Sequence, residues 1–151
     1  MNNNSSILLA LVCLAYTAAF FFLIPELMMF IWFALGVASG LGFLYADEKY
    51  FVKYYQEDKS FLVTRSPLFL LALMPIAIMV ITSFGSFWAS GVVGGMMLWL
   101  VLEMLIYRSN PEVFAPRFLQ GVKVKSIETS MRLMLIIGWS FFIVVHLLGV
   151  F

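Results

Sequence analysis

The sequence predicts an all-α, polytopic integral membrane protein with five transmembrane helices, arranged as two hairpins plus a single C-terminal helix. Three observations predict it. Of 151 residues, 64% are hydrophobic and only 11% are charged, and mean hydropathy is +1.04, whereas a soluble domain carries roughly 25% charged residues. The charges are gathered into short polar segments that separate uncharged runs of membrane-crossing length. No run alternates as a strand would, which leaves helices to satisfy the backbone in lipid. A small chain cannot hide so many apolar residues in one core, so a soluble globular protein is excluded, and so is a disordered one.

The elements follow in order. Residues 7–24 are uncharged and would span about 27 Å as a helix, close to one hydrocarbon core. The residues before them lack Lys and Arg, and no small-x-small cleavage site precedes Pro25. The run therefore reads as a span rather than a cleaved signal peptide. Pro25-Glu26 turns the chain into a second run, 27–46. In the polar segment 47–66 a helix fits residues 47–60. Tyr50, Phe51, Tyr54 and Tyr55 share one face, and Lys49, Lys53, Gln56, Glu57 and Ser60 the other. It reads as an interfacial extension of the second span or as a docking face for a protein. The third span, 67–84, contains Pro75, which removes a backbone hydrogen bond and is expected to kink it. A turn over 83–90 carries Phe87 and Trp88 as interfacial aromatics, and the fourth span follows at 91–107. In the second polar segment, 108–130, Asn110 can cap a helix, with Pro111 at its first position and Glu112 at its positive end. Pro116 keeps that helix short and Gln120-Gly121 ends it. Lys123 and Lys125 then point to headgroups, and Ser126 caps the fifth span, 131–150, with Glu128 in its first turn.

Orientation follows from the cations. Lys49, Lys53, Lys59 and Arg65 lie after the second run; Arg108, Arg117, Lys123, Lys125 and Arg132 lie after the fourth. These are all nine, so both polar segments should be cytoplasmic, the N-terminus inside and the C-terminus outside. The expected location is a bacterial inner membrane. An internal repeat is also legible. Leu8-Leu9-Ala10-Leu11 recurs as Leu70-Leu71-Ala72-Leu73, and Leu44-Tyr45 as Ile106-Tyr107. Residues 7–62 and 69–124 are thus either a duplicated hairpin unit or a chance recurrence of abundant residues.

Within the spans, Glu103 carries the most information. It lies about 7.5 Å deeper than Arg108 along a helix, where a carboxylate must be paired or protonated. Tyr107 at i+4 and Arg132 at the start of the last span are its expected partners. An interhelical ion pair and a proton or ion relay are the two roles open to it. Gly36 and Gly40, and Gly91 and Gly95, are close-approach pairs that join helices within one chain or between chains, so an oligomer stays open. His146, near the outer face, is expected to hydrogen-bond another helix. With one Cys (Cys13) and one His, an internal disulfide, a cysteine metal cluster and a bis-histidine haem are excluded. No catalytic constellation, cofactor site or metal site is legible, and a net charge of +1 gives no reason to expect nucleic acid.

The second hairpin and its flanks carry a resemblance. The entry reads Thr64-Arg65-Ser66-Pro67-Leu68-Phe69. The exit reads Asn110-Pro111-Glu112-Val113-Phe114, followed by Lys123-Val124-Lys125. Over residues 64–125 this resembles the small inner-membrane hairpin subunit of bacterial type IV secretion and conjugation systems. The chain departs from it in the Ser between Arg65 and Pro67, in Asn110 where an acidic residue is expected, and in its additional spans. The resemblance implies a non-enzymatic platform component that contacts the secretion ATPase.

Three functions are then open: a non-enzymatic membrane subunit that assembles with partner proteins, a small transporter or channel protomer, and a lipid-active enzyme using Asp47, Glu48 and Glu112. The first is preferred. Its partners would be membrane lipids, membrane proteins and a cytoplasmic protein. Arg65, Tyr50, Phe51, Tyr54, Tyr55, Phe114, Lys123 and Lys125 are the expected docking or lipid contacts.

Overall fold

The computed structural model describes residues 3–50, 62–82 and 86–149. Within them the chain is all-α. The helices are α1 (Asn3–Phe21), α2 (Leu27–Lys49), α3 (Pro67–Thr82), α4 (Phe87–Tyr107), α5 (Pro111–Phe118) and α6 (Ile127–Gly149), with a 3-10 turn at Val63–Arg65 before α3. Three helices, α2, α4 and α6, are long and apolar enough to cross a membrane. The apolar stretches of α1 (Ser6–Phe21) and α3 (Pro67–Thr82) are shorter. These boundaries revise the expected ones. Phe87 and Trp88 belong to the first turn of α4 rather than to a turn before it, because Ser86 Oγ accepts a hydrogen bond from the Ala89 N–H at 3.3 Å and so starts the helix there. Ser126 does the same for α6 through the Thr129 N–H, so α6 begins four residues before the expected span. The polar residues Asp47, Glu48 and Lys49 extend α2 past residue 46, in line with reading residues 47–60 as an extension of the second span. Asn110 caps α5 with its backbone carbonyl, which accepts from Val113 and Phe114, and not with its side chain. Gly121, at φ +73°, turns the chain away after α5.

α4 is the central helix. Eleven of its residues are buried, from Gly91 to Met104. α2 lies against it through the two glycine pairs. A Cβ on Gly36 would overlap the Trp88 carbonyl, one on Gly91 the Phe33 carbonyl, and one on Gly40 the Val92 carbonyl, while Gly95 faces Val37. The small faces therefore join two helices of the same chain at backbone distance. On the other side of α4, Leu73 and Ala77 of α3 and Val145 of α6 complete a core with Met96, Met97 and Leu100. A second core, Val101 and Met104 with Phe114, Phe118, Leu119 and Met131, docks α5 across α4 and α6. Pro75 lies inside α3 and is exposed.

Polar contacts mark the two ends of the bundle. At one end the C-termini of α2 and α4 meet the N-terminus of α3. Toward the other, the Tyr16 hydroxyl of α1 meets His146 Nε2 of α6 at 2.7 Å. His146 Nδ1 lies 2.7 Å from the Phe142 carbonyl. A carbonyl only accepts, so Nδ1 carries the proton and the Tyr16 hydroxyl donates to Nε2.

Candidate functional site: a buried ion-pair cluster

Four elements deliver charged side chains to one buried point. α2 ends in Asp47-Glu48, the 3-10 turn supplies Thr64 and Arg65, α4 supplies Trp99 and Glu103, and α5 supplies Arg117. The turn places Arg65 inside because Asp47 Oδ2 accepts both the Thr64 N–H (2.9 Å) and the Thr64 hydroxyl (2.5 Å), which pins the segment to the end of α2.

Arg65 is the hub, and its side chain is 1% exposed. Its Nε donates to Glu103 Oε2 at 3.2 Å and its Nη2 to Glu48 Oε2 at 3.2 Å. Its Nη1 donates to the Leu44 carbonyl at 3.0 Å and to the Thr64 hydroxyl at 2.9 Å. Asp47 Oδ2 lies 3.8 Å from Nη1. Glu103 is fully buried and saturated. It accepts from Arg65, from Arg117 Nε at 2.5 Å and from the Trp99 indole N–H at 3.1 Å, with Arg117 Nη2 a further ion-pair partner. Arg117 Nη2 also reaches Glu48 Oε1 at 3.0 Å, and its guanidinium carbon sits 5.3 Å from the centre of the Tyr107 ring. Burial works against the charge of Arg117, but Glu103 and Glu48 outweigh it and raise its pKa, so it stays cationic. Among the described residues every buried side-chain nitrogen and oxygen has a hydrogen-bond partner. Counted as formal charges, three carboxylates face two guanidiniums, one negative charge in excess.

The cluster corrects several expectations. Glu103 is paired, but not with Arg132. That residue lies on the exposed side of α6 and pairs with Glu128 one turn back at 2.5 Å. Tyr107 gives its ring to Arg117, and it is Trp99, at i−4, that donates to Glu103. Arg65 is no surface contact, since its side chain is buried and engaged by Glu103 and Glu48. Phe114 is buried as well, packed on Phe118 in the second core. Tyr50, Lys123 and Lys125 are exposed, while Phe51, Tyr54 and Tyr55 lie outside the described residues. Asp47 and Glu48, far from Glu103 in sequence, share Arg65 with it.

Sequence reasoning did not single out Arg117, Thr64 or Trp99. One signal was present for Trp99, which stands four residues before Glu103 on the same helix face. For Arg65 the signal was its place two residues before the third span, on the side where Glu103 sits; Arg117, ten residues past the fourth span, carried none.

No protein-family model, curated protein or solved structure matches this chain.

Proposed function

We propose that the chain is a five-span membrane protein, cationic segments facing the cytoplasm, that works as a non-enzymatic subunit assembling with partner proteins. The observation that carries this reading is the saturated cluster. Asp47, Glu48, Glu103, Arg65 and Arg117 hold α2, the turn before α3, α4 and α5 together. A network with all its partners in place rigidifies a fold. Arg108, Lys123 and Lys125, with Val113 and Val122 among them, remain exposed on the same side of the molecule as a surface for a cytoplasmic partner. The ends of three helices support alternating crossings of α2, α3 and α4: Arg65 before α3 meets Asp47 near the end of α2 and Glu103 late in α4. At about 24 Å, the 16-residue α3 needs modest bilayer thinning or help from its flanks to cross. The one-sided cations support the orientation. The likeness of residues 64–125 to the type IV secretion hairpin subunit makes an inner-membrane secretion or conjugation machine the finer proposal. Mild-detergent copurification from native membranes tests it. Stoichiometric membrane or ATPase partners are expected; an isolated chain at native abundance contradicts the reading.

A transporter or channel protomer is the second reading, favoured by one observation, the formal negative excess around Glu103. Glu103→Gln abolishing substrate flux, while the partners still copurify, would favour it.

A further inference from the structure

The side of the cluster away from α5 opens into a groove of about 650 Å³. It is lined by Ser6 of α1, by Leu41, Gly42, Tyr45, Glu48 and Lys49 of α2, and by Arg65 and Trp99. Its two accessible charges have opposite sign. Lys49 donates to the Tyr45 hydroxyl at 2.9 Å and lies over the Tyr45 and Tyr50 rings, 5.2 and 5.7 Å from their centres. Among the described residues it has no carboxylate partner. Glu48 is the exposed edge of the cluster, its side chain 35% accessible. Each of its oxygens accepts one guanidinium hydrogen bond, so each keeps a lone pair free. Two turns deeper, Gly42 faces open space, with nothing within 4 Å of where its Cβ would be. Between Gly42 and Lys49 the groove runs about 10 Å along α2.

The geometry points to a binding site for a zwitterionic aminophospholipid. Its phosphate sits on Lys49, its primary ammonium donates to Glu48, and one acyl chain lies over Gly42 and Leu41. The charge match selects it. Lys49 supplies one positive charge and the cluster one formal negative charge, side by side, which complements a headgroup carrying both. An anionic headgroup would meet Glu48 unfavourably. A choline headgroup has no N–H with which to reach it. The site rests on the membrane reading, which places the end of α2 in the headgroup layer.

The test is reconstitution into vesicles of equal parts phosphatidylcholine, phosphatidylethanolamine and phosphatidylglycerol. Detergent extraction and mass spectrometry of the retained lipid follow. Phosphatidylethanolamine should be retained about tenfold over the others, the ratio one charge-assisted hydrogen bond supports. Gly42→Leu puts a side chain into the deep end of the groove, where its Cβ meets nothing within 4 Å, so it should fold normally and return retention to the vesicle ratio. Lys49→Gln removes the phosphate contact and should lower the amount of lipid retained. Retention at the vesicle ratio in the parent protein, enrichment of phosphatidylglycerol instead, a preference that survives Gly42→Leu, or undiminished retention in Lys49→Gln would overturn the site. A chain released from vesicles by alkaline carbonate would instead refute the membrane reading itself.

Discussion

Arg65→Met is the sharpest perturbation of the cluster. Methionine keeps much of the apolar stem and removes the guanidinium, leaving Glu48 and Glu103 to share Arg117 and Asp47 without its cation. Arg65 contacts Glu103 and Glu48 at 3.2 Å each. A unit pair about 4 Å apart at an effective dielectric near 20 is worth ~4 kcal/mol, and the buried carboxylates lose hydrogen bonds as well. Against this stands the desolvation of the guanidinium, which the variant no longer requires. Breaking one side of a buried pair costs about 3–5 kcal/mol on balance, and that is the expected loss. Arg132→Met removes an exposed i,i+4 pair and should change stability by less than ~0.5 kcal/mol. The double variant Arg65→Met with Glu103→Met should cost less than the sum of its singles by about 2 kcal/mol, since each removes the charge the other leaves unpaired. Titration of the protein in mixed micelles with a denaturing detergent, followed by circular dichroism, reads all four. An Arg65→Met loss no larger than that of Arg132→Met, or an additive cycle, would refute the cluster as the structural hub.

Three further outcomes are expected. Gly36→Leu should prevent α2 from seating on α4, because the added side chain meets the Trp88 carbonyl, and the protein should lose its thermal transition in detergent. Phe114→Ala should cost about 3–5 kcal/mol of local stability and release α5, seen as rapid proteolysis between Arg108 and Lys125 while α2 and α4 stay protected. Tyr16→Phe deletes the 2.7 Å bond to His146. An interhelical hydrogen bond in lipid contributes about 1 kcal/mol, so a small stability loss in the same micelle titration is expected, without change in helix content.

The helical class was legible in composition and in the spacing of the charges, because lipid permits few backbone solutions. The glycine pairs were legible as close-approach faces, although only the fold assigned both to one intramolecular contact. The need of Glu103 for a cation was legible too, because a buried carboxylate must find a counter-charge. Its identity was not. Arg65 stands in a polar segment and reads as surface until Asp47 captures the Thr64 backbone and turns it inward. Arg117 reads as the exposed end of a short helix until Phe114 and Phe118 anchor that helix over α4. Both pairings join residues far apart in the chain, which helix periodicity does not encode. Arg132 was the natural candidate at the start of the last helix, but it faces away from α4, held one turn back by Glu128.

Single cysteines at Ser86, Lys125 and Gly149, placed in a Cys13→Ala background, test the membrane arrangement most directly. With an impermeant maleimide applied to intact cells, labelling is expected at 86 and 149, and at 125 only after the membrane is opened. Labelling of 125 and 149 from the same compartment would contradict it.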